Sequence, residues 1–505
     1  MVKLLLFILT LNAYWCLASI HTSINEINVE NLQNQETNVD TSALKQVPPY
    51  FNPHDKFSKD DLHYELNAAA YWIKSSHPKY DRYISDERIK TIIDSIYNSV
   101  PDSLNYFELK KNIDFLVAQY GCSHTVCINS EDFDKFSNSE NTLFFPFSVV
   151  LLSGKVYINA ISSKYPNISL GTEILEINGR VTRNIIEELV SYISSDFKIK
   201  KYHYRWLDNK GFAKSYYNLI SRPDNFHLKV RGPDSVITNI SLSALPISEI
   251  SDVVPFQREL MTFSISKENK TATLGLHTFM RSALTPAGYD FSEYIDSAFR
   301  KIKEANVENL IIDLRGNYGG TAHLGAIVYS YISDTSFVYI DSIESKIGYY
   351  GKASGFKEKN YIPNNKGTYN HILETDVLPR MPSKFNTPLN LYVITDRVTF
   401  SAGGIFAAFL KSNSNAIFIG EESSSDGNIV NGCINWYMLP NSKAKVGIPL
   451  ETHYYNSKYT FNGLGVKPDY PVTPSIADYL TGNDTAINLI LNLIKDKIKS
   501  EQDIK

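Results

Sequence analysis

The chain is poor in cysteine, with four in 505 residues. One of them, Cys16, falls in an apolar N-terminal stretch, which leaves Cys122, Cys127 and Cys433. At most one bridge can then form within the chain, and the odd thiol stays free or pairs between chains. CxxC and HxxxH spacings are missing, which argues against a zinc site. Neither sign of charge dominates: 50 Lys and Arg stand against 54 Asp and Glu, a net charge of −4. That balance excludes the electrostatic footprint of a nucleic-acid binder, and no basic run suggests a membrane surface. Beyond the N-terminus no stretch reaches the roughly 20 consecutive apolar residues of a membrane-spanning helix, so stable membrane insertion is not expected. The dinucleotide pattern GxGxxG and the P-loop pattern GxxxxGKS/T are absent. So is the GxSxG elbow of esterases and lipases.

What the sequence does contain begins with MVKLLLFILTLNAYWCLAS, a lysine followed by a short apolar run and small residues, which is the pattern of a signal peptide over residues 1–18. It predicts a secreted, extracellular protein. Sequons at Asn167, Asn239, Asn269 and Asn483 agree with that setting. Residues 19–58 lack sustained periodicity and read as a linker or pro-segment. Residues 59–135 carry three amphipathic segments, which predict a helical bundle. Short strands with one helix, NIIEELVSYISS, fill residues 143–245. A larger α/β unit runs over 258–475, and TAINLILNLIKDKI, within 476–505, reads as an amphipathic helix packed back on it. Hydrophobic residues make up 43% of the chain, enough for several cores.

Two segments of the α/β unit carry chemistry. In VTFSAGGIF, Ser401 stands where the strand LNLYVITD (389–396) gives way to a periodic helix, so its hydroxyl lies beside unpaired helix N–H groups that favour an oxyanion. Ala402, Gly403 and Gly404 would let a substrate carbonyl approach the backbone. A plain N-cap serine is the competing reading. In NLIIDLRGNYGG a buried strand, 310–314, enters a loop with three glycines whose N–H groups are potential donors. For Asp313 and Arg315 the favoured reading is a structural ion pair or a solvated loop.

DLRGNYGG, TFSAGG, IFIGEES and GLGVKPDYPV, in that order, resemble the motifs of the tail-specific, or C-terminal processing, serine peptidases. The resemblance covers most of residues 60–495. It implies an α/β multi-domain fold with an N-terminal helical bundle, a PDZ-like module and a catalytic core of the C-terminal processing type. It implies no metal or organic cofactor. Where one branch of the family places a lysine base, twenty-five residues past the serine, this chain has Asp426. YGCSHTV instead resembles the tricorn-like branch, which implies His124 as general base with Ser123 beside it. Histidine suits that task because its unperturbed pKa is roughly 6.5. The fourth member falls on Asn462 in TFNGLGV, with Glu451 and Glu421 as alternatives. The oxyanion donors fall on Gly319 or Gly320, with Ala402.

LGTEILEINGR resembles a PDZ element, but LFFPFS, 143–148, has no glycine, so strand addition of an extended peptide fits it better than carboxylate capture. Cys122 and Cys127 flank Ser123 and His124. A disulfide there, a buried free thiol and a nucleophilic Cys122 all stay open. The predicted function is a secreted serine peptidase that cleaves extended peptides or unfolded proteins through an acyl-enzyme on Ser401. The alternative is an inactive relative that binds peptides or hydrophobic ligands.

Overall fold

The computed structural model describes residues 52–160, 162–197, 199, 202–251, 259–346, 361–365, 367–371 and 378–503. The signal-peptide reading, Cys16 and nearly all of the segment before residue 59 lie outside the described residues.

Three helices come first: α1 (Lys59–Ser76), α2 (Asp86–Ser99) and α3 (Tyr106–Ala118). Ser58 with Asp61, and Asn105 with Glu108, form capping boxes that fix where α1 and α3 start, each cap being worth about 1 kcal/mol. Leu62, Leu66, Ala69 and Ile73 recur at helical spacing on α1 and are fully buried. They share one cluster with Ile92, Ile96, Ile113 and Val117 from the other two helices. The turn after α3 carries Ser123 and His124.

The next region holds β1 (Val149–Leu152), β2 (Lys155–Ile158), β3 (Glu173–Ile177), α4 (Thr182–Val190), α5 (Tyr202–Leu207), α6 (Lys210–Leu219), β4 (Asn225–Arg231) and β5 (Ile237–Ser243). Its strands form an antiparallel sheet in the order β5-β4-β3-β2-β1. A separate aromatic-rich core lies under it, with Phe145, Phe212 and Phe226 packed edge to face.

The central unit begins with β6 (Met261–Ser266), β7 (Thr271–Leu276), α7 (Phe291–Glu304) and β8 (Asn309–Asp313), followed by β9 (Ile340–Ser345), β10 (Tyr361–Pro363) and β11 (Tyr369–His371). It continues with β12 (Asn390–Thr395), α8 (Ala402–Asn413), β13 (Ile417–Gly420), β14 (Ile429–Met438), β15 (Lys445–Tyr455), β16 (Tyr470–Pro471) and α9 (Thr485–Asp503). Its main sheet runs β6-β7-β8-β12-β13-β16, antiparallel at the first pair and parallel from β7 onward. Every residue of β8 is buried, as a parallel strand covered on both faces requires.

α7 lays Phe291, Ile295, Phe299 and Ile302 on this sheet at helical spacing, each such side chain contributing about 1.5–3 kcal/mol when fully buried. α9 covers the other face with Ala486, Ile490 and Ile494 against Ile311, Tyr392 and Ile419. Arg315 at the end of β8 bonds Asp313 and Asp484, both at 2.7 Å, so this pair is an internal tie. A second sheet, β10-β11-β9-β15-β14, is joined at β15 by Val126–Ile128, the strand that follows His124. That pairing draws the helical region's exit turn onto the central unit. No helix among the described residues is long and apolar enough to cross a membrane.

Candidate active site

Ser401 lies between β12 and α8 with φ 50° and ψ −126°. A left-handed φ is strained for a side-chain-bearing residue, and Ser401 does not behave as a helix cap. Ser58, Ser85, Ser130 and Ser475 each accept an N–H of their own helix, whereas Ser401 makes no capping bond. Its Oγ instead lies 3.2 Å from His124 Nε2. The plain N-cap reading therefore fails.

The turn is held by its surroundings. Ser401 N–H donates to Ser425 Oγ at 2.6 Å. Phe400 N–H donates to the Asn317 carbonyl at 2.8 Å, and Asn317 Nδ2 reaches the Leu276 carbonyl at 2.8 Å. Fully buried Asn317 thus pins the glycine-rich loop to both the nucleophile turn and β7. Gly319, at φ +97°, is required there: a Cβ would sit 2.6 Å from Ser401 Cβ and 2.7 Å from Ala402 N. The small residues after Ser401 have a different use from the one expected. A Cβ on Gly403 would meet Asn317 Oδ1 at 2.7 Å, and one on Gly404 would meet Ser425 at 2.8 Å. They admit the supporting side chains rather than a substrate.

His124 is buried and stacks on Phe400 with centroids 4.6 Å apart. Burial, with smaller contributions from the positive charges of Arg205 and His453, lowers its pKa to about 3, so the imidazole is neutral. Ser123 Oγ lies 3.4 Å from His124 Nδ1 and 2.6 Å from Asp196 Oδ1. The tautomer that satisfies these contacts has Nδ1–H pointing to Ser123 Oγ, the Ser123 hydroxyl donating to Asp196, and Nε2 free to accept from Ser401.

Asp196, in the loop after α4, completes this chain. It also accepts Ser123 N–H at 2.8 Å and, through Oδ2, Asp426 N–H at 3.1 Å. Burial raises its pKa, and the Ser123 and Asp426 hydrogen bonds oppose that rise. Asp426 occupies the position of the missing lysine, where its carboxylate receives Arg82 at 2.6 Å and Tyr83 at 2.8 Å.

Sequence reasoning missed Asp196: SYISSDFK carries no motif, and 73 residues separate it from Ser123. The three carboxylate-site candidates go elsewhere. Asn462 is exposed at φ 54°. The left-handed turn it makes with Gly463 brings the glycine against Tyr83 and Phe197 and leaves the Asn462 amide outside, with no hydrogen bond to Ser123 or His124 among the described residues. Glu421 accepts Thr473 Oγ1 at 3.2 Å.

Glu451 is buried in the second sheet. It accepts His453 Nε2 at 3.2 Å, Tyr361 OH at 3.1 Å and Cys433 Sγ at 2.9 Å, and His371 Nδ1 lies 3.0 Å away. Burial works against its charge, but the neighbouring His371 and His453 prevail and hold its pKa well below the ordinary glutamate value.

Of the expected oxyanion donors, Gly319 is committed elsewhere, because its N–H donates to Asn317 Oδ1 at 2.8 Å. The N–H groups of Gly320 and Ala402 make no hydrogen bond among the described residues. Cys122, Cys127 and Cys433 are free thiols, so the Cys122–Cys127 bridge is not formed. Burial raises the Cys122 pKa to about 11, which leaves it protonated and unsuited to nucleophilic attack. No group of three or more metal-ligating side chains occurs among the described residues.

A serine on a strained strand-to-helix turn, facing a neutral histidine, is a site of the serine-hydrolase class. Residues 270–472 match the model of Peptidase family S41. That segment is a Peptidase family S41 domain, and the protein is a serine peptidase. No curated protein matches the chain.

Among solved structures, mature CPAF is 14% identical, with 88% of this chain and 98% of that chain covered and a TM-score of 0.63. Mature CPAF complexed with lactacystin is 14% identical, with 87% and 99% covered and a TM-score of 0.60. These likenesses show a shared mixed α/β fold. The photosystem II D1 C-terminal processing protease superposes more loosely, at 12% identity, 81% and 93% coverage and a TM-score of 0.40.

Proposed function

We propose that the protein is a secreted peptidase that cleaves extended or unfolded polypeptides through an acyl-enzyme on Ser401. The observation that carries this reading is the 3.2 Å contact between Ser401 Oγ and the neutral Nε2 of His124. His124 takes the Ser401 proton as Oγ attacks the scissile carbonyl. The imidazolium that forms is stabilised through Ser123 by the buried Asp196 carboxylate, whose Oδ1 lies 2.6 Å from Ser123 Oγ. The tetrahedral oxyanion is received by the N–H groups of Gly320 and Ala402. The proton on His124 then passes to the leaving amine, and water, activated by the same imidazole, releases the acyl group.

The antiparallel sheet of β1 to β5 is the PDZ-like module of this reading. It would hold an extended substrate by strand addition, and the helices before residue 121 form the bundle that presents His124. Passage through the secretory route is supported by the N-terminal apolar pattern and by sequons at the exposed Asn167, Asn239 and Asn483. The alternative of a silent binding protein is not favoured, because the serine and histidine that it has no use for are in contact.

The test is fluorophosphonate labelling of the full chain, with the modified residue located by peptide mass analysis. It is followed by hydrolysis of an unfolded protein by wild type and by Ser401→Ala and His124→Ala variants. Labelling at Ser401 with matching loss of hydrolysis in both variants is expected. A folded wild-type protein that neither labels nor cleaves would refute the reading.

A further inference from the structure

Arg205, on α5, lies beside the site and forms no ion pair among the described residues. Its guanidinium carbon is 3.9 Å from the centroid of the Tyr318 ring and 5.2 Å from that of Phe400, with Tyr202 and Trp206 at 4.8 and 4.9 Å. Phe400 immediately precedes the nucleophile, and Tyr318 immediately precedes Gly319. The aromatic faces hold the guanidinium plane by cation–π attraction and leave its edge N–H donors to be used.

Among the described residues those donors have no acceptor: Arg205 makes no hydrogen bond or ion pair, and its Nη1 is buried without a partner. Other arginines of low exposure in this protein are matched. Arg397 pairs with Asp208 at 2.7 Å, and Arg315 pairs with Asp313 and Asp484. A buried guanidinium donor left without an acceptor is unfavourable in the resting protein. The rings beside it are reachable, since Trp206 is 47% and Tyr318 46% exposed. The Arg205 charge is also one of the causes that keep His124 neutral, which places it within electrostatic reach of the reacting atoms.

We propose that Arg205 is a specificity-determining residue that binds a substrate carboxylate next to the scissile bond, so that the enzyme selects polypeptides with an anionic group there. This inference rests on the peptidase reading above. The planar fork of guanidinium donors matches a carboxylate in two-point fashion. The carboxylate comes either from an Asp or Glu side chain or from the end of the substrate chain.

The experiment uses the full chain with matched quenched peptides. Glu is exchanged for Gln or Lys on each side of the cleaved bond, and each peptide is made with a free or an amidated C-terminus. Wild type is expected to favour the anionic member of a pair by about tenfold or more in kcat/KM, as one desolvated charged hydrogen-bond pair allows, mainly through KM. Arg205→Met is expected to bring that ratio to about one, Arg205→Lys to lower it without abolishing it, and Arg205→Glu to turn the preference toward Lys. Discrimination that follows Glu against Gln identifies a side chain, and discrimination that follows the free against the amidated end identifies a chain terminus.

Equal rates across all pairs, or a preference that survives in Arg205→Met, would overturn the inference alone. No cleavage of any peptide by wild type would overturn it together with the peptidase reading. If Arg205→Met fails to fold, Arg205→Lys decides: a wild-type preference left unchanged in that variant would overturn the inference.

Discussion

Two buried carboxylates in this protein each meet a histidine or a serine next to one, and one of them leads on to Ser401. Asp196 bonds Ser123, which touches His124, which faces Ser401. Glu451 is surrounded by His371, His453, Tyr361 and Cys433. In the first group each contact leaves the next atom free to act: Nδ1 is engaged by Ser123, so Nε2 is left to a hydroxyl on a strained turn. In the second group four side chains converge on one carboxylate, which stays charged and joins β10, β11, β14 and β15. The lesson is that a carboxylate beside a histidine marks a reactive site only where the far side of the imidazole meets a group with chemistry to do.

Ser401→Ala has the largest expected effect. Hydrolysis should fall by about 10⁴-fold or more, and fluorophosphonate should no longer label the protein. Asp196→Asn comes next. It keeps the shape but removes the charge that stabilises the imidazolium, so kcat/KM should fall by about 10²-fold. Ser123→Ala should weaken the same linkage, and the double variant should lose much less than the product of the two single losses, since both lie on one chain of contacts. A purely additive double variant would mean that Asp196 does not act through Ser123.

The pH profile sharpens the contrast further. Burial lowers the His124 pKa from 6.5 to about 3, so the acid limb of Ser401 labelling should lie well below the ordinary histidine range. Protonating a buried neutral histidine is harder in the folded chain than in the unfolded one. Stability from this group is therefore complete above 6.5 and declines as pH falls toward 3. An acid limb centred near 6.5 would contradict a buried base.

Glu451→Gln should act on stability instead. Removing a buried carboxylate from two histidines should cost about 2–4 kcal/mol, visible as a lower Tm, with labelling of the folded protein within about threefold of wild type. The Glu451 pKa is held down, so its contribution is present above the ordinary glutamate range and is lost as pH falls through the lowered value. Smallest is Asn462→Gly, which keeps the left-handed turn and removes an exposed amide. It should change kcat/KM by less than about twofold.

Much of the site was legible in the sequence, and the reasons are local. An apolar strand, one serine and two glycines before a periodic helix describe the Ser401 turn whatever surrounds it. Ser123 and His124 lie in a short motif at the end of an amphipathic helix. Asp196 was not legible, because its role comes from a loop that docks on the Gly121–Ser123 turn, with Phe197 N–H bonded to the Gly121 carbonyl at 3.1 Å, and no local pattern announces such a contact. Asn462 occupied the right place in a motif, but a left-handed turn points that place at solvent. Of Gly319 and Gly320, both offered as oxyanion donors, Gly319 is ruled out for a similar reason: its N–H is taken by Asn317 two residues before it.

The most direct test of the account is the rate of fluorophosphonate labelling at Ser401, measured side by side in wild type, Asp196→Asn and Glu451→Gln. The account predicts labelling slowed by about 10²-fold in Asp196→Asn and nearly unchanged in folded Glu451→Gln. Slow labelling of Glu451→Gln beside normal labelling of Asp196→Asn would contradict it and give the catalytic carboxylate to the other cluster.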